Sequence, residues 1–158
     1  MPVQLLFDIS GIDLGSVAAN AEEVGRVNPQ SGHMRHLDHV IWFNEDKTRV
    51  LGVKFVRHDE FWVPGHIPGR PLLPGVLMIE AAAQVSSYLQ RAKYPELGFL
   101  GFTRCDQTSF RGQVLPGSTL YLLAQLEPSS NSRRFVCLAQ GVVDNKSVFE
   151  SKITGMAI

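Results

Sequence analysis

The chain has 158 residues, 44% hydrophobic and 19% charged, with 15 basic and 15 acidic side chains and a formal net charge of zero. That describes an ordinary globular protein, expected as a single domain over 1–158 whose first 28 residues are an extension and whose core needs neither disulfide nor metal. The balance gives no ground for nucleic-acid binding, no apolar run approaches a membrane span, and the N-terminus lacks the order of a signal peptide, so a cytoplasmic location is expected.

Taken in chain order, "AANAEEVGRV" (18–27) predicts a short helix that "NPQSG" (28–32) ends. "LDHVIWF" (37–43) and "TRVLGVKFV" (48–56) read as strands joined by the turn "NEDK" (44–47). A long loop follows over 57–71. The one long helix is expected from Pro74 to Lys93, since proline suits a first helical position. Apolar residues occupy nearly every side of it, which predicts a buried helix. Strands are expected at 99–105, 118–126, 133–143 and 147–158. The separators "LPGS" (115–118), "EPSSNS" (127–132) and "DNK" (144–146) read as hairpin-type connections. The pattern is α+β: an antiparallel sheet wrapped around one long central helix.

Chemistry concentrates in "FWVPGHIPGRPLLPGVLMIEAAAQ" (61–84). Glu80 falls in the second turn of an apolar helix, where lost hydration favours the neutral carboxyl and lets it act as a general acid. Gln84, one turn on, is placed to hold that carboxyl. His66 sits in a loop stiffened by Pro64 and Pro68, which suits a general base. Leu73 would stand at the cap and cannot cap, so the amides around Gly75 and Val76 lack an acceptor at the positive end of the helix dipole. A carbonyl oxygen gaining negative charge would be stabilised there. Each feature alone has a plainer reading: a salt-bridged glutamate, a loop histidine bonded to backbone, a helix start filled by water. Together they suit removal of a proton next to a carbonyl with loss of a β-hydroxyl, the dehydration of a 3-hydroxyacyl compound.

Residues 61–84 also resemble the signature of the β-hydroxyacyl-acyl-carrier-protein dehydratases of the FabZ/FabA type. The PGHIPG loop, the LPGVLMIEAAAQ helix and the 14-residue step from His66 to Glu80 carry the likeness. "FRGQVLPGSTL" (110–120) and Asp38 and Val40 in "LDHV" add weaker matches, and the whole covers roughly residues 29–156. The resemblance implies the hot-dog fold and no cofactor. It implies that His66 removes the C2 proton, that Glu80 protonates the leaving hydroxyl, and that the Gly75 amide binds the thioester carbonyl, with Val76 and Gln84 beside the substrate. The implied partner is acyl carrier protein bearing a 3-hydroxyacyl chain. A homodimer at least, extending to a trimer of dimers, is implied, with His66 of one subunit facing Glu80 of the other. Glu80 rather than aspartate resembles the FabZ branch, which dehydrates without isomerising. The chain departs from the pattern in "QSGHMRH" (30–36) and in the length before Pro29, both near the expected acyl tunnel.

Two readings of another kind remain: a hot-dog domain that binds acyl thioesters without turnover, and a thioesterase on the same fold. His33, His36 and His39 recur every three residues, but as strand they alternate faces and have no carboxylate or cysteine beside them, so no metal is expected. Cys105 and Cys137 sit in apolar stretches and are expected as buried thiols.

Overall fold

The computed structural model describes residues 4–158. Helix α1 covers Ala21–Val27, strands β1 and β2 cover His39–Phe43 and Arg49–Phe55, and helix α2 covers Gly75–Lys93. Strands β3 to β6 follow at Leu100–Phe110, Thr119–Leu126, Arg134–Val143 and Lys146–Ala157. The strands form one six-stranded antiparallel sheet in the order β1-β2-β4-β5-β6-β3.

Local chemistry explains most boundaries. Asn20 caps α1 by accepting from the Glu23 amide while the Glu23 carboxylate accepts from the Asn20 amide, a closed capping box. The β5–β6 turn is the two residues Asp144 and Asn145, both at positive φ (50° and 61°), between the paired Val143 and Lys146. That left-handed pair matches the twist of the strands it joins, and Asp and Asn tolerate it.

The period of two along each strand sorts side chains onto two faces. Leu120, Leu122, Ala124 and Leu126 of β4 face inward with Val50, Phe135, Cys137 and Ala139, where Met78, Ala81, Ala82, Val85 and Leu89 of α2 pack against them. Leu51, Val53, Leu123 and Val142 face outward and are covered by Phe7 and Ile9. The Gln140 side chain ties this N-terminal strap down, accepting from the Leu6 amide (2.9 Å) and donating to the Gln4 carbonyl (3.2 Å). Burying Phe7 and Ile9 contributes about 2 kcal/mol each. This part of the first 28 residues therefore lies on the face of the sheet away from α2.

Three expectations need correction. "LPGS" is no hairpin: β3 pairs with β6 at one edge of the sheet, and the chain crosses from there to place β4 beside β2. α2 is not covered all round. The sheet is open, so the stripe through Val76 (69% exposed), Glu80, Ala83 and Ser87 is left partly bare. Cys137 is fully buried, and burial pushes its thiol up to about 12, but Cys105 is exposed on β3.

His36 is buried, and neither ring nitrogen meets a partner among the described residues. Burial first, then the charges of Lys54 and Arg57 against the opposing Glu60, push its imidazole down to about 4. The native protein keeps His36 neutral where an unfolded chain binds a proton. Its contribution to stability is therefore complete above pH ~6.5 and is lost as pH falls toward 4. Between pH 7.5 and 5 the protein should lose about 2 kcal/mol that a His36→Gln variant does not lose. Urea midpoints at the two pH values check this; equal losses would free His36 of the effect.

Candidate active site

The loop 57–74 and the first two turns of α2 bring the sequence-predicted residues to the bare stripe of the helix. Pro74 is the cap residue, not the first helical residue, and Gly75 opens the helix. No side chain caps this end, and the first backbone bonds to the cap carbonyl come from Leu77 (2.9 Å) and Met78 (3.3 Å). The Gly75 and Val76 amides thus have no acceptor among the described residues, and point with the helix dipole into a cleft. That cleft is lined by His66, Leu72, Gly75, Val76, Phe110 and Val114 and is largely apolar, with the imidazole and the Gln113 side chain as its polar members.

The fold selects which imidazole nitrogen carries the hydrogen. His66 Nδ1 lies 2.7 Å from the Leu72 carbonyl oxygen. A carbonyl can only accept, so Nδ1 carries the hydrogen and Nε2 keeps a lone pair. The imidazole is exposed at the cleft mouth.

Glu80 is oriented by a parallel device. Gln84 is 2% exposed, and its carbonyl oxygen accepts from the amides of His36 (2.9 Å) and Leu37 (3.2 Å). Backbone amides only donate, which fixes which end of the side chain faces them. The Gln84 amide nitrogen then donates to the Met34 carbonyl (2.7 Å) and to Glu80 Oε1 (2.9 Å). Glu80 Oε1 is therefore an acceptor, and Oε2 has no hydrogen-bond partner among the described residues. Every polar side-chain atom of Gln84 is bonded within the protein, and through its amide nitrogen it orients Glu80. Glu80 is also less buried than its apolar neighbours suggested. It is partly exposed, in a second cleft with Gln30, Ala83, Ser87, Phe102, Phe135 and Thr154.

His66 and Glu80 of one chain line different clefts along the same helix stripe. Phe99, Phe102, Phe110, Met156 and Ile158 on and beside β3 are exposed next to them. The three histidines of the stretch 33–39 separate: His33 packs edge-on to Phe61 at 6.1 Å between ring centres, His36 is buried, and His39 packs against Phe55 at 5.6 Å.

Gly75 is needed for more than its amide. A Cβ there would stand 2.7 Å from Cε1 and 2.9 Å from Cζ of Phe110. Phe110 is half-exposed, so the ring and not the backbone would yield, swinging toward the cleft. Gly75→Ala should cost only a few degrees of Tm yet lower kcat/KM about tenfold on a 3-hydroxyacyl thioester, and Phe110→Leu in the same chain should restore much of it. No loss in the single variant would show that the space between Gly75 and Phe110 is not used.

Against known proteins, residues 28–152 match the model of the FabA-like domain. A 3-hydroxyacyl-[acyl-carrier-protein] dehydratase FabZ of Desulforamulus reducens is 42% identical over 85 residues, and the match spans 53% of this chain and only 59% of that protein. One of Brucella ovis is 32% identical over 143 residues, 88% of each chain. The dehydratase heterocomplex ApeI:P of Xenorhabdus doucetiae shares the fold, with a TM-score of 0.71 at 17% identity over 85% of this chain and 90% of that one. The hot-dog architecture expected from the sequence is thus found in the structure as well, and the chain belongs to the FabA-like domain family.

Proposed function

We propose that this chain is a 3-hydroxyacyl-[acyl-carrier-protein] dehydratase, converting the 3-hydroxyacyl thioester to the trans-2-enoyl thioester in the cytoplasm, in fatty-acid or related lipid biosynthesis. It works as a homodimer at least, with His66 of one subunit facing Glu80 of the other. The observation that carries this is the pair of free atoms, His66 Nε2 and Glu80 Oε2, each left reactive because its neighbour is held by the scaffold. The names of the relatives support the substrate class.

The thioester carbonyl lies against the Gly75 amide. His66 Nε2 takes the C2 proton, and the electron pair of that bond moves toward the carbonyl, where the helix start stabilises the growing negative charge. Glu80 Oε2 gives its proton to the 3-hydroxyl. The C3–O bond breaks, water leaves, and the electron pair closes the C2=C3 bond. One proton has entered on His66 and one has left Glu80, so the site resets when the proton passes back through solvent.

A thioesterase needs an attacking water or carboxylate at the carbonyl carbon, whereas the free Oε2 of Glu80 serves here as a proton donor to the 3-hydroxyl. A pure binder needs neither free atom. Incubation with a 3-hydroxyacyl thioester separates the three. Enoyl product supports the dehydratase, free thiol would mean the thioesterase, and unchanged but bound thioester would mean the binder.

A further inference from the structure

We infer that the buried ion pair of Lys54 with Glu60 is a positioning device for the His66 imidazole, an inference that rests on the dehydratase reading above. Lys54 belongs to β2 at the same register as the inward-facing Val50, two steps of two along the strand. It is 1% exposed and Glu60 is 7% exposed, with Nζ 2.7 Å from Oε1. Removing two charges from water carries a large penalty, which the attraction between them roughly offsets, so apolar residues of the same size would serve stability as well. The pair is better explained by the geometry it enforces.

That geometry leads to the base. The second oxygen of Glu60 accepts from the Arg57 amide at 2.8 Å, so the carboxylate gathers the turn after β2 and ties it back to that strand. The Glu60 carbonyl accepts from the Val63 amide (3.1 Å), and the carbonyl of the buried Trp62 accepts from the amides of Gly65 (3.2 Å) and His66 (2.8 Å). The His66 carbonyl accepts from Leu72 (3.0 Å), whose own carbonyl holds Nδ1. Beyond Leu72 the loop is pinned by the Leu73 amide on the Val114 carbonyl (2.8 Å). The half before His66 has no such backbone bond to a distant segment after Val56 among the described residues. There too, Lys54–Glu60 is the only hydrogen-bonded side-chain tie from positions 57–66 to the sheet. Lys54 and Glu60 line neither cleft, so they act through His66 and are positioning residues.

Two variants test this. Glu60→Gln leaves the lysine charge buried without a counter-charge and should lower both Tm and kcat. Adding Lys54→Met removes the orphaned charge, and Tm should return to within about 5 °C of the parent. The tie stays broken, so kcat should remain down about tenfold or more with KM within about threefold. Amide hydrogen exchange is the second readout and uses no substrate. Protection of the His66 amide should fall about tenfold or more in the double variant while β4 and β5 amides keep theirs. Recovery of kcat together with Tm would make the pair merely structural and overturn the inference. So would unchanged exchange at His66. If the double variant does not regain Tm, the same exchange comparison on Glu60→Gln, at a temperature where β4 and β5 are still protected, decides the matter. A parent protein that never dehydrates a 3-hydroxyacyl thioester defeats the dehydratase reading alone, because the exchange result stands apart from it.

Discussion

A mixture of His66→Ala and Glu80→Ala chains, each nearly inactive alone, is expected to recover about a quarter of the wild-type activity when the two are co-expressed. The reason is geometric. In one chain His66 and Glu80 line separate clefts on the bare stripe of α2, and the clefts are flanked by exposed apolar side chains of the edge strand β3. An exposed edge strand is a template for pairing, and under the shared site proposed above a two-fold pairing sets His66 of each subunit against Glu80 of the other. In a mixed dimer one site then carries both defects and the other is intact. Random pairing makes about half the dimers mixed, with one good site of two in each, hence the quarter. If each site drew both residues from one chain, every site would keep a defect. An inactive mixture, with mixed dimers shown by two affinity tags, would refute the shared site and leave the dehydratase assignment untouched.

Glu80→Gln is the second large effect. The variant keeps the volume, and the amide that replaces the carboxyl still presents an oxygen to the Gln84 amide nitrogen. The bond at 2.9 Å therefore survives, and with it the tie to residues 34–37. What is lost is the proton on Oε2. An amide cannot protonate a departing hydroxyl, so kcat should drop about a hundredfold or more with Tm nearly unchanged. The substrate still meets the Gly75 amide and His66, so KM should move little. Steady-state kinetics on a 3-hydroxyacyl thioester, with Tm measured on the same preparation, checks both halves. Near-normal turnover would remove Glu80 from the chemistry, and a collapse of Tm would make it a structural residue.

Much of this is legible in the amino-acid string, and the legible parts share a cause. The bare start of α2 follows from a proline and a glycine where a capping side chain would stand. The Glu80–Gln84 contact follows from a spacing of four on a helix. The β4–β5 and β5–β6 hairpins follow from turn residues between alternating runs. All are decided within a few residues, by backbone sterics and local hydrogen bonds, so a linear string carries them.

What the string leaves undecided is what depends on which distant segment arrives alongside. An apolar helix announces that it packs, but not which stripe an open sheet will leave bare, so the helix pattern alone makes Glu80 and Val76 more enclosed than they are. Cys105 lies in a strand-like run as Cys137 does, yet one ends on an exposed edge and the other under the sheet, because strand order is set by pairing across the whole chain. Gln84 becomes an orienting residue only when residues 34–37 come to meet it, and Lys54 passes for an ordinary strand lysine until Glu60 closes on it inside the core. By itself the sequence singled out His66 and Glu80 as the candidates for the proposed chemistry. Only the tertiary structure decided which atom of each is free to do it, because a hydrogen bond from a distant group is what takes the other atom out of play.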